Sequence, residues 1–216
     1  MVLWIACALL ALAGFSGIWH ALALRHNRRR ALEVLRWIEG TLGEQGQASG
    51  ISWVTRSRFK VPLRLRCGLF HRAWMMVDFR PSEFPLRWLA GRIAGTREVL
   101  TFHADLDLPP TFSFHIHNFR WCAQSSRTPG KSKVEVEQCG RFVISTRMDW
   151  QKEVTAAMGS LSRNENREFL EINFQRRTPH FSATLPLEAV APGSPVRECM
   201  LETMRDVAAS ASASLS

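Results

Sequence analysis

The chain has 216 residues, 46% hydrophobic and 22% charged, with 28 Lys and Arg against 19 Asp and Glu for a net charge of +9. This composition is that of a globular protein and excludes a disordered one, and the length allows one domain of ordinary size or two small related halves. The charge is unevenly placed: residues 25–100 hold 15 Lys and Arg against 6 Asp and Glu, whereas residues 101–216 hold 13 of each. Arg outnumbers Lys 24 to 4 and Tyr is absent, a codon-bias signature that explains the choice of Arg but not why the surplus stops near Leu100. Cys7, Cys67, Cys122, Cys139 and Cys199 are isolated, with no C-x-x-C pair, and read as reduced residues rather than a disulfide framework.

Residues 1–24 contain no Asp, Glu, Lys or Arg and are rich in Leu, Ala, Ile and Trp. About 20 apolar residues cross a hydrocarbon core, so the segment predicts a transmembrane anchor. Trp4 and Trp19 stand toward its ends, where indole favours the interface. Arg25-His26-Asn27-Arg28-Arg29-Arg30 then stops it abruptly. A cleaved signal peptide is the alternative, because Ala21-Leu22-Ala23 has the small-x-small form of a cleavage site. Against it, no side-chain charge precedes the apolar run, and four arginines directly after it oppose export. The same asymmetry predicts a single-pass protein of the cell membrane with its N-terminus outside and its domain in the cytoplasm.

Residues 25–50 predict a basic juxtamembrane helix and a connector. Ala31, Leu32, Leu35, Ile38 and Leu42 recur at helical spacing over 28–42, and Gly40, Gly43, Gly46 and Gly50 end the helix in a flexible link. Residues 51–209 predict an α+β domain. Val61, Leu63, Leu65 and Cys67 alternate with Pro62, Arg64 and Arg66 as in a half-buried strand, which Pro62 places at a sheet edge or bend. Further strands are expected at 73–79, 98–106, 112–118, 134–138, 141–146, 168–174 and 181–187, helices at 83–93, 150–162 and 195–208, a loop at 124–133 and a disordered tail at 210–216. The order suggests two β-α-β-β repeats, 72–123 and 134–190, in which Glu98-Val99-Leu100-Thr101-Phe102 matches Glu168-Phe169-Leu170-Glu171-Ile172. The fold expected is a mixed, mostly antiparallel sheet with helices packed on it, behind the transmembrane helix.

Two constellations could carry function. Arg56, Arg58, Lys60, Arg64 and Arg66 are all even-numbered, so on an extended chain they share a side. With Arg25, Arg28, Arg29 and Arg30 they would form a basic surface for anionic membrane lipid or a protein partner, gaining about 1 kcal/mol per basic residue near the leaflet. A solvated face is the plainer reading of any single one of these residues. Nucleic acid could also compensate the charge, with Trp53, Phe59 and Trp74 as stacking groups, but no nucleic-acid motif accompanies them. The second constellation is a histidine face. If residues 107–111 close a hairpin, His103 pairs across from His115, and His103, His115, His117 and Asp105 form a candidate metal site. The plainer reading is the polar side of an antiparallel sheet.

Glu165, Glu168 and Glu171 fit a charged loop and strand edge better than a carboxylate pair. The sequence contains no P-loop, dinucleotide glycine fingerprint, G-x-S-x-G or H-E-x-x-H, and no cofactor is predicted. The leading expectation is a membrane-anchored structural or interaction domain held by a basic face. Membrane-anchored metal-dependent enzyme and membrane-tethered nucleic-acid binder are the alternatives. The full chain should resist alkaline carbonate extraction from membranes and a chain beginning at Arg30 should not. Recovery of mature protein beginning at Leu24 would instead establish cleavage.

Overall fold

In a computed structural model of the chain, residues 1–66, 68–80, 85–110, 112–118, 135–139, 142–146, 155, 169–190 and 196–213 are described. The expected 124–133 loop and, save Thr155, the 150–162 helix lie outside these residues, as do Cys67, Cys122, Glu165 and Glu168.

The apolar segment and the juxtamembrane helix are one element, α1 (Val2–Leu42), of 41 residues. At 1.5 Å per residue it is about 62 Å long. It holds one stretch long and apolar enough to cross a membrane, with mean hydropathy 1.8 over an 18-residue window that is 0% buried. The other end is core. Ala31, Val34, Trp37, Ile38 and Leu42 are buried against the sheet. Leu32 was expected among them but is 52% exposed, because it stands about 100° round the helix from Ala31.

The expected flexible connector is largely ordered. A 3-10 turn, Gly43–Gln45, leads into β1 (Gly46–Ala48), which pairs with β3 (Arg58–Leu65). Gly46 permits this: a Cβ there would lie 2.7 Å from the Arg64 carbonyl oxygen. The two-residue strand β2 (Ser52–Trp53) pairs with the start of β3. Pro62 falls between the β1 and β2 registers, where its missing N–H interrupts neither ladder.

The chain continues through β4 (Phe70–Asp78), α2 (Pro85–Ile93), β5 (Val99–Leu106), β6 (Phe114–Asn118), β7 (Glu135–Cys139), β8 (Phe142–Thr146), β9 (Glu171–Phe174), β10 (Phe181–Pro186) and α3 (Val196–Ala213). Thus α3 extends into the expected tail. The strands form a single ten-stranded sheet in the order β1-β3-β4-β5-β10-β9-β6-β8-β7, with β2 also on β3, and every described pairing is antiparallel. The fold is therefore α+β, a long apolar helix followed by an antiparallel sheet with helices.

The expected β5–β6 hairpin does not form. β10 and β9 lie between those strands, so the two halves of the chain interleave. Read inward from its ends, the sheet runs β1-β3-β4-β5-β10 on one side and β7-β8-β6-β9 on the other.

Alternation along each strand gives the sheet one apolar face. Ala73, Ala104, Phe181, Phe174 and Phe114 lie in register across five strands, and Met75, Phe102, Ala183, Ile172, Ile116 and Ile144 form the next row. Ala104 and Ala183 leave room for Phe181 and Phe102 on the neighbouring strand, so small and large side chains alternate at close packing. Phe70, Phe102, Phe181, Phe174, Phe114 and Phe112 make a continuous aromatic chain, with successive centroids 5.4, 6.1, 4.9, 4.8 and 5.4 Å apart. Each such pair adds about 0.5–1.5 kcal/mol beyond burial. The C-terminal part of α1 and α3, through Leu201, Met204, Val207 and Ala208, contribute to the same core.

Phe174→Ala removes the ring that touches Phe112, Phe114 and Phe181 and should destabilise the domain by about 3–5 kcal/mol in chemical denaturation. Leu32→Ala should change stability by no more than about 0.5 kcal/mol. Equal losses would contradict this assignment of core and surface.

Candidate functional site

The opposite face of the sheet carries most of the sequence-predicted polar residues. One register row reads Lys60, Met76, Thr101, Thr184, Glu171 and His117 from β3 to β6, and the next reads Pro62, Trp74, His103, Ser182, Asn173 and His115. All twelve are half-buried. At one end, the Lys60 ammonium lies 4.4 Å from the Trp74 ring centroid, and Trp74 stacks on His103 at 5.3 Å. At the other, His115 Nε2 is 2.8 Å from Glu171 Oε1 and the His115 and His117 rings are 5.1 Å apart. Between them Thr101 and Thr184 join hydroxyl to hydroxyl at 3.2 Å.

The histidines do not converge as the hairpin would have required. His103 is in register with Trp74 and Ser182, and His115 with Ser145 and Asn173, so two strands separate them. At 4.7–4.9 Å per strand the separation is about 14 Å, too far for one ion. Asp105 shares β5 with His103, not β6 with the other imidazoles. Among the described residues no group of three or more His, Cys, Asp or Glu is placed to hold a metal ion. His103 Nδ1, His117 Nδ1 and Asp105 Oδ1 are buried without a hydrogen-bond partner there.

The cationic strip is split by the fold. Arg56 precedes β3 and reaches α1: its Nη1 is 3.4 Å from His20 Nδ1, and its carbonyl accepts a 3.1 Å bond from Asn27 Nδ2. Arg58 pairs with Asp78, and Lys60 sits over Trp74. Arg64 and Arg66 are exposed at the far end of β3, where Arg66 N–H donates to the Gln45 carbonyl just past the end of α1. The strip thus runs along α1, away from the apolar segment. Eight residues of strand span about 26 Å, several times the ~8 Å screening length of physiological salt.

The juxtamembrane cluster is also divided. Arg30 binds Glu98 at 2.6 Å and lies 5.2 Å from the Phe79 ring centroid, so it ties the helix to the sheet. Arg25, Arg28 and Arg29 remain exposed. Of the suggested stacking groups, Phe59 is fully buried in the core and Trp74 is occupied by Lys60 and His103, while Trp53 is 39% exposed and rests on Phe59 at 5.3 Å.

The fold assembles a site that the periodicity of the sequence does not show. Leu24 and Arg28 of α1, Trp53 of β2, and Val54, Thr55 and Arg56 of the β2–β3 turn line a cleft of about 340 Å³. Its walls are apolar at Leu24, Trp53 and Val54 and cationic at Arg28 and Arg56. The turn is fixed there by hydrogen bonds from Val54 N–H and Thr55 N–H to the Arg58 carbonyl, 3.0 Å each. The only advance signal was an aromatic followed by Arg56 within reach of the arginine run.

No protein-family model and no curated protein matches the chain. Among solved structures it is similar to the crystal structure of the mycobacterial trehalose monomycolate transport factor A, TtfA, with a TM-score of 0.40 and 9% identity, over 81% of this chain and 92% of that one. A likeness at that level carries no argument about function.

Burial lowers the pKa of His103 below its usual 6.5, with the Lys60 charge adding to the effect and Asp78 opposing it. Burial also lowers that of His117, reinforced by His115 and opposed by Glu171. As pH falls through 6.5 the unfolded chain therefore takes up these protons before the folded one. The associated stability is present above about pH 6.5 and is lost below it. Denaturation of the full chain in detergent should show lower stability at pH 5.5 than at 7.5, and His103→Gln with His117→Gln should narrow the difference. An unchanged pH dependence would assign it to other groups.

Proposed function

We propose that the chain is a single-pass membrane-anchored structural or interaction domain, held on the cytoplasmic side with its membrane-proximal cations against anionic lipid headgroups. The observation that carries this reading is the Leu24–Arg28–Trp53–Arg56 cleft, which lies where α1 passes from its apolar to its cationic segment. Apolar walls beside two guanidinium groups suit the glycerol and phosphate of a phospholipid, since Arg binds phosphate in a bidentate fork. Arg25, Arg28 and Arg29 beside it follow the charge pattern of a cytoplasmic flank.

An uncleaved anchor is supported by the continuity of α1 through Ala21-Leu22-Ala23 and by the contacts of Trp19 with Trp88 and His20 with Arg56. Removing residues before Leu24 would strip those partners from the domain. In this reading Arg64 and Arg66 play no part in lipid contact, because the fold carries them to the distal end. The half-buried polar sheet face is left for a protein partner.

Native mass spectrometry of the full chain in detergent, titrated with phosphatidylglycerol or phosphatidylcholine, tests the headgroup reading. Phosphatidylglycerol should be retained preferentially, and Arg28→Gln with Arg56→Gln should remove the preference. Arg64→Gln with Arg66→Gln should leave it intact. Equal retention of both lipids by the unaltered chain would overturn the proposal.

A further inference from the structure

The amphipathic helix α2 is turned the wrong way for a water-facing element. Leu86, Leu89, Ala90 and Ile93 occupy one face at the spacing expected of a helical stripe. That face is exposed: Leu86 is 80%, Leu89 47% and Ile93 79% accessible. The other side holds the domain contacts. Trp88 meets Trp19 of α1 edge to face at 5.8 Å, Arg92 lies 5.4 Å from the Trp88 centroid, and a Cβ on Gly91 would lie 3.0 Å from Thr96 Oγ1. Among the described residues nothing covers the Leu86–Ile93 stripe.

The position of α2 along α1 identifies what covers it. Trp19 lies within the charge-free segment, six residues before Arg25. Residues 2–18, the part of α1 before this contact, span about 25 Å, less than the ~30 Å of a hydrocarbon core. Immersing the whole apolar segment to Leu24, about 35 Å, therefore brings whatever abuts Trp19 to the membrane boundary. The groups found there are an outward apolar stripe, the exposed Trp53 and Val54 beside Leu24, and the exposed cation Arg92 against Trp88. Apolar residues facing acyl chains with cations at headgroup level are the pattern of a helix lying in the bilayer interface.

We propose that α2 is an interfacial helix, seated beside the spanning segment with Leu86, Leu89 and Ile93 among the lipid acyl chains. The inference rests on the anchored reading above but not on its anionic headgroup contact. Two points of attachment, α1 and α2, fix the rotation of the domain about α1 as well as its distance from the membrane.

The test uses the full chain reconstituted in vesicles of phosphatidylcholine that carry a diazirine in the acyl chain, with and without phosphatidylglycerol, followed by irradiation and peptide mapping. Lipid adducts are expected on the Leu86–Ile93 peptide as well as on α1, in neutral and anionic vesicles alike, and not on the peptide containing Gln47. Leu86→Gln, Leu89→Gln and Ile93→Gln together should reduce the α2 adducts several-fold while those on α1 persist. Adducts confined to α1, or α2 adducts undiminished in the triple variant, would overturn the inference. If α1 carried no adducts and the chain were lost on carbonate washing, the anchored reading itself would fail.

Discussion

The unbroken run of backbone hydrogen bonds through α1 connects the exposed apolar and core-forming parts of the chain. No glycine or proline hinge separates Leu24 from Ala31, and the same helix that is exposed at Phe15 and Ile18 is fully buried at Ile38 and Leu42. A helix of this kind transmits orientation, because bending it without a breaker disrupts the hydrogen-bond ladder. The Arg30–Glu98 ion pair, with Glu98 also accepting from Arg80 N–H at 3.3 Å, fastens the helix to the start of β5. The position of the cleft, the direction of the cationic strip and the height of α2 all follow from how α1 lies on the sheet.

That arrangement sorts the arginines by distance rather than by parity. Alternation places Arg58, Lys60 and Arg64 on one side of β3, and the burial of Phe59, Val61 and Leu63 opposite agrees with it. Parity says nothing about which end of a strand is near the bilayer. For the proposed lipid contact, screening makes that end decisive, since a charge two or three Debye lengths away contributes little to surface attraction. Arg58 and Lys60, with partners in Asp78 and Trp74, are committed to the sheet.

Much of the fold was legible in the sequence, and for identifiable reasons. The charge-free segment, the helical spacing from Ala31 to Leu42 and the strict alternation in β3, β5 and β10 each record a local period set by burial, which one chain displays without reference to any other. The strand order was not legible. A short Pro-Pro loop between β5 and β6 resembles a hairpin, but β10 and β9 lie between those strands, where Phe102, Phe181, Phe174 and Phe114 pack together. The histidine constellation depended on strand neighbours and dissolved with the hairpin. The cleft was hidden for a similar reason, because Leu24 and Trp53 belong to segments with different periods and meet only in the folded chain.

The interleaved strand order also bears on how the protein is made. In the anchored reading, synthesis delivers α1 to the membrane first, then β3, β4 and β5 as a meander whose outer edge at β5 is unpaired. The partner of that edge is β10, and Thr101 and Thr184, which face each other across it, are 83 residues apart in sequence. Contacts of such separation form slowly, because loop closure precedes the gain from pairing. During that interval an open strand edge and its phenylalanines stand close to a lipid surface, exposed to mispairing. A chain held by such an anchor is already tethered, so its neighbours are other chains in the same two-dimensional layer. Crowding in that layer, more than concentration in solution, would then govern how much of the protein reaches its native sheet.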